Sequence, residues 1–145
     1  MRDVFVPETS FAERENVEKA LNDLKTAMNR KEKTVIELAA IATFLHNIYN
    51  GIENILKQII KAKAMSMPSS ETWHKDLLNL SVSIGIITEE LASELYTYLA
   101  FRHFFVHGYG FKLEEAHLRS LADDISRIWS QFITAANTYC ASNLI

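Results

Sequence analysis

The chain has 145 residues, of which 48% are hydrophobic and 23% are charged, a composition typical of a single globular domain. Its formal net charge of −3 argues against a protein that coats nucleic acid by charge alone, since such proteins are normally basic. Because Cys140 is the single cysteine, the sequence excludes an intramolecular disulfide and a cysteine-based zinc site, and we expect the protein in the reducing cytoplasm. From the length we expect one domain over residues 1–145.

The first predicted helix begins near Ser10, with Glu13 three residues later in the arrangement of a capping box. Apolar residues then recur at helical spacing as far as about Arg30. They are Val17, Ala20, Leu21, Leu24, Ala27 and Met28.

A longer helix is predicted from about Lys33 to Met65, with apolar residues on two sides. Such a wide apolar surface needs more than one neighbour, so this helix lies at the centre of a bundle or turns part of its surface to a second subunit. Gly51 lies inside it and is expected to allow a close helix crossing. No stretch approaches about 18 uninterrupted apolar residues, so we expect no membrane span. The N-terminal residues MRDVFVPETS contain no apolar core of roughly 7–15 residues, so we expect no signal peptide.

Residues 66–72 contain Pro68 and three serines and are predicted to form a loop. A short helix is predicted over residues 73–84, ending near Gly85. Thr88 then has the features of an N-cap residue, with two glutamates directly after it in the first turn of the next helix.

That helix is predicted to run to about His107, where Gly108-Tyr109-Gly110 stops it. The last helix is predicted over residues 113–141, and no stretch shows the alternation of a strand. The sequence therefore predicts an all-α antiparallel bundle of four long helices plus a short one.

The segment with the clearest chemical content is LAFRHFFVHGYGF, residues 99–111. No acidic residue occurs between Glu94 and Glu114, so the basic residues of this window form a locally positive, aromatic-rich patch in an acidic protein. These basic residues are Arg102, His103, His107 and Lys112.

Arg102 and His107 are five positions apart, which places them about 140° apart around an ideal helix. Two arrangements would bring them together. The helix could unwind just before Gly108, or a two-fold partner could supply a second copy so that residues of both chains line one cleft.

An arginine and a histidine suffice for metal-independent cleavage of RNA. Neutral imidazole can take the proton of a ribose 2′-hydroxyl, and a guanidinium holds phosphate oxygens through paired hydrogen bonds. The expected products carry a 2′,3′-cyclic phosphate and a 5′-hydroxyl, and DNA should be inert. Spacing alone is weak support, since the competing interpretation of Arg102 is a surface ion pair with Glu94 or Glu115.

The sequence R-H-F-F-V-H-G-Y, Arg102 to Tyr109, resembles the R-x4-H-x-Y motif of HEPN-domain proteins, in particular the HepT-like toxins. The resemblance covers about eight residues by motif and the whole chain by architecture. It implies an HEPN-like homodimer in which two copies of the motif face each other across a cleft.

The resemblance further implies a ribonuclease toxin of a bacterial toxin–antitoxin pair, acting on tRNA or mRNA without a cofactor. Arg102 and His107 would be catalytic and His103 would support them. The partner would be an MNT-type nucleotidyltransferase antitoxin that transfers AMP to Tyr109. Tyr109 lies between two glycines, so we expect its hydroxyl on an accessible loop, where added AMP would block the place of an RNA phosphate.

Other polar residues are further candidates for binding RNA: Lys112, and, on the long second helix, Tyr49, Asn50 and Lys57. The competing interpretations are a polar stripe at a helix crossing, from His46 to Glu53, and a solvated lysine face. A metal pair of His103 with His107 lacks an evident third ligand, so we expect no metal site.

Two other functions remain open at this stage. One is a non-catalytic HEPN module that binds a nucleotide or docks a nucleotidyltransferase. The other is a plain helical interaction protein, which would be preferred if the motif were buried within one subunit.

Overall fold

The computed structural model describes residues 7–107 and 113–143. These residues form a 3-10 turn at Glu8–Ser10 and five α-helices, with no strand in either described range. The all-α prediction is therefore confirmed, with four long helices and a short one. The helices are α1 (Phe11–Met28), α2 (Val35–Ala62), α3 (Trp73–Ser83), α4 (Glu89–Val106) and α5 (Glu115–Asn143).

Helix α2 is the centre of the bundle, because it contacts each of the other four helices. By length and composition alone α2 could cross a membrane, but twelve of its residues are buried by its neighbours. Of the two predicted roles for its wide apolar surface, the central place in the bundle is confirmed. Val35 and Ile36, at the beginning of α2, remain largely exposed.

The predicted helix start at Thr88 and the predicted helix end near Gly85 are both confirmed. The Thr88 hydroxyl accepts a hydrogen bond from the Leu91 N–H at 3.1 Å, as an N-cap residue does. Gly85, just after α3, has a φ of +89°, a left-handed conformation that favours glycine.

The capping box predicted at Ser10 is wrong. The 3-10 turn continues into α1 and keeps Ser10 in a helical conformation, so its hydroxyl does not cap the helix and donates instead to Gln58 Oε1 at 2.6 Å. A reciprocal cap lies at α2: the Ile36 N–H donates to Thr34 Oγ1 at 3.2 Å, and the Thr34 N–H donates to Glu37 Oε1 at 2.8 Å.

Helices α1 and α2 cross closely at Gly51. A Cβ atom built on Gly51 would lie 2.2 Å from Cγ2 of Val17, which is buried. The predicted close crossing is therefore confirmed, and it places α1 against α2 one residue away from Asn50.

We expect Gly51→Ala to lower the free energy of unfolding by about 1 kcal/mol, measured by urea denaturation. The overpacking cost, about 1–3 kcal/mol, exceeds the roughly 1 kcal/mol that alanine gains over glycine in a helix. Valine is stiff at χ1 and cannot move its methyl group aside easily.

In a Val17→Ala background the same substitution is expected to stabilise the protein, because the methyl group that clashes is gone while the helix-propensity gain remains. Equal effects of Gly51→Ala in both backgrounds would show that the Val17 contact does not set the crossing distance.

Candidate functional site

The last two turns of α4 carry the motif. Arg102 is half-buried and directed toward α2, whereas His103 and His107 are exposed. The rings of these two histidines lie against each other, with 4.2 Å between centroids. Helix α4 thus presents an arginine on one side and a pair of imidazoles on another.

Arg102 is held by Asn50 of α2. Its Nε–H donates to Asn50 Oδ1 at 2.9 Å, and the Asn50 amide nitrogen lies 2.9 Å from His46 Nε2. The His46 ring packs against Phe105, with 5.2 Å between centroids. The polar stripe predicted on the second helix is therefore the place where α4 meets α2, and it contacts the motif directly.

The carboxylates that were the alternative partners of Arg102 are engaged elsewhere. Glu94 forms an ion pair with Arg127, and Glu115 lies 2.9 Å from Arg119. Within residues 7–107 and 113–143, Arg102 forms no ion pair. Its positive charge is therefore not neutralised by a carboxylate of the described chain.

His107 directly follows α4 and keeps the helical hydrogen bond, since its N–H donates to the His103 carbonyl at 3.1 Å. The helical hydrogen bond is therefore kept as far as His107, which does not favour the first of the two predicted arrangements, a helix that unwinds just before Gly108. Among the described residues no hydrogen bond joins Arg102 to His107.

The electrostatics around His46 favour its neutral form. Burial lowers its pKa below the ordinary value of 6.5, and the nearby charge of Arg102 lowers it further, against an opposing effect of Glu53. An uncharged imidazole at this position leaves Nε2 available to accept a hydrogen bond.

The other predicted RNA-binding residues have different surroundings. Tyr49 is buried and so is not placed to contact RNA; burial and the nearby Glu53 raise its pKa well above the ordinary value. The Lys57 ammonium lies 4.0 Å from the centre of the Trp73 ring, a cation–π contact. Tyr109 and Lys112 lie outside the described residues.

One polar pair was missed from the sequence. His74 Nδ1 lies 2.8 Å and 2.9 Å from the two carboxylate oxygens of Glu53, which is buried, and the His74 ring stacks on Trp73. The available signal was an acidic residue within the central, largely apolar helix, because a carboxylate buried there requires a partner. The described residues contain no group of three or more metal-binding side chains.

Comparison with known proteins identifies the family. A family model described as HepT-like protein matches residues 40–143, which include Asn50, Arg102 and His107. The comparisons with curated proteins and with solved structures gave no significant match. The match covers most of the chain and contains most of the central helix and the arginine–histidine pair, and the chain therefore belongs to the HepT-like family, which is of the HEPN type.

Proposed function

We propose that this chain is a metal-independent RNA endonuclease toxin of a bacterial toxin–antitoxin pair, acting in the cytoplasm. Membership of the HepT-like family suggests a toxin-type function. The observation that supports RNA cleavage is the surroundings of Arg102. The neutral side-chain amide of Asn50 accepts a hydrogen bond from the Arg102 Nε–H, and no carboxylate of the described residues forms an ion pair with this arginine. Its terminal nitrogens are thus available for a phosphate.

The chemistry follows from the two side chains. His107 accepts the proton of the ribose 2′-hydroxyl, and the 2′-oxygen attacks the adjacent phosphorus. Arg102 stabilises the charge that develops on the phosphate oxygens. The bond from phosphorus to the 5′-oxygen breaks, this oxygen takes a proton from water, and His107 returns the proton it accepted to the solvent, which leaves a 2′,3′-cyclic phosphate and a 5′-hydroxyl.

The active site forms between two copies of the chain, each contributing one of the two residues. Val106 is 50% exposed and, around the helix, lies between Arg102 and His107, about 40° from one and about 100° from the other. An apolar contact centred on Val106 would bring the arginine of one copy toward the histidine of its partner.

An MNT-type nucleotidyltransferase antitoxin would inactivate the toxin by transferring AMP to the hydroxyl of Tyr109. The support for this part is the family and the position of Tyr109 two residues after His107. The added phosphate would bring negative charge and bulk to the place where the RNA phosphate must bind.

We expect Arg102→Ala and His107→Ala each to lower the rate of RNA cleavage by about 100-fold or more, because each removes a group that acts in the transition state. Cleavage by the parent should persist in EDTA. The measurement is release of 2′,3′-cyclic phosphate ends from total RNA.

Arg119→Ala is the matched control, because Arg119 is an exposed arginine of α5 that pairs with Glu115. It should leave the rate unchanged. If both motif variants keep circular dichroism spectra and cleavage rates like those of the parent, the site is misassigned. Nucleotide binding without RNA turnover would favour the non-catalytic module instead.

A mixed dimer tests whether the active site is shared. A heterodimer with Arg102→Ala in one copy and His107→Ala in the other, purified with two affinity tags, retains one intact pair across the interface. It should therefore recover about half of the parent rate, since one of the two sites is complete.

The control heterodimer combines an unsubstituted copy with one carrying both substitutions, and it should be inactive because each shared site lacks one residue. The reverse pattern, activity in the control and none in the first heterodimer, would place Arg102 and His107 of one site in the same copy.

A further inference from the structure

The side chain that accepts a hydrogen bond from Arg102 on α2 is uncharged. Asn50 is a neutral amide, and it uses both of its polar atoms: Oδ1 faces Arg102 Nε and Nδ2 faces His46 Nε2, each at 2.9 Å. A carboxylate at this place would hold the guanidinium more strongly, but it would also neutralise the charge that a phosphate needs. An amide fixes the guanidinium and leaves its charge intact.

The chemistry of the three side chains determines which atom donates and which accepts in the hydrogen bonds from Arg102 to Asn50 and from Asn50 to His46. Arginine has only donors, so the Asn50 atom that faces it is the oxygen, and the Asn50 nitrogen must then donate to His46. His46 Nε2 can accept only if it carries no proton, so the imidazole is neutral, with its proton on Nδ1. Nδ1 is buried and has no hydrogen-bond partner among the described residues.

We propose that Asn50 and His46 form a positioning pair for Arg102: Asn50 directs the guanidinium, and neutral His46 fixes the orientation of the Asn50 amide. The catalytic meaning of this pair rests on the proposed function, but the pair itself does not. Protonation of His46 removes the acceptor for Asn50 and places a second positive charge beside Arg102, so the pair releases the guanidinium in acid.

The surroundings of His46 fit this role. Arg102 on α4 and burial both act against its protonation, and Glu53 on α2 acts in the opposite direction. The net effect is a pKa below 6.5, so the imidazole is neutral and the pair is intact at neutral pH. As the pH falls through this lowered pKa, His46 becomes charged and the hydrogen bond from Asn50 is lost.

The first test follows the Arg102 Nε–H directly by NMR, with ¹⁵N-labelled protein and Arg102→Lys to assign the signal. We expect Asn50→Ala to increase the exchange rate of this proton with water at least tenfold. Asn47→Ala is the matched control, because Asn47 is an exposed asparagine of the same helix, and it should cause no change. An unchanged exchange rate in Asn50→Ala would overturn the proposal.

The second test separates the two members of the pair by their pH dependence. In the parent, the Arg102 Nε–H signal should broaden in step with the titration of the His46 ring. In His46→Gln, whose side-chain oxygen can accept from Asn50 at any pH, this broadening should disappear. Broadening that persists in His46→Gln would exclude His46 as the group that holds the amide.

Activity gives a third readout. Asn50→Ala should lower kcat about tenfold to 100-fold, while the melting temperature and the circular dichroism spectrum stay close to those of the parent. Asn50→Asp should hold the guanidinium in place, but its carboxylate would compensate the positive charge that binds the phosphate, so cleavage should remain slow. A parent that cuts no RNA would refute the proposed function and leave the NMR result on the pair standing. A parent that cuts RNA equally well with Asn50→Ala would refute the positioning pair alone.

Discussion

The arrangement of the site depends on one constraint, the burial of α2 on most of its circumference. Four helices cover its apolar surface, and the polar residues of α2 meet different neighbours around it. Asn50 and His46 lie on the side of α2 that faces α4, where Asn50 meets Arg102. The burial of apolar surface, the dominant favourable contribution to folding, therefore also determines which side chain meets the motif arginine.

Helical periodicity and local end signals were sufficient to predict much of the fold. The five helices, the N-cap at Thr88 and the helix end near Gly85 all follow from residues close together in sequence, and Gly51 was recognised as a place for a close crossing, although its partner Val17 was not. Ser10 shows the limit of such signals. A serine with a glutamate three residues later predicts a capping box, but the preceding turn and the distant Gln58 determine where its hydroxyl points.

The site was predicted in its residue types and only partly in its contacts. Arg102 and the polar stripe on α2 were both recognised, yet 52 positions separate Arg102 from Asn50. No periodicity within one helix can indicate such a pairing, and the same holds for the pair of Glu53 with His74. Arg102 and His107 lie on different sides of α4, which keeps its helical hydrogen bond as far as His107, so the fold of the described residues does not join them.

The absence of a carboxylate beside Arg102 in the described residues has a consequence for how RNA would be held. With a net charge of −3, the protein repels a polyanion at long range, and a site built around one arginine displaces few counterions from the bound strand. Affinity would then depend only weakly on ionic strength, and discrimination among RNAs would come from the shape of the folded strand. Under the proposed function, such a site would engage an exposed, already unstacked segment more readily than a regular duplex.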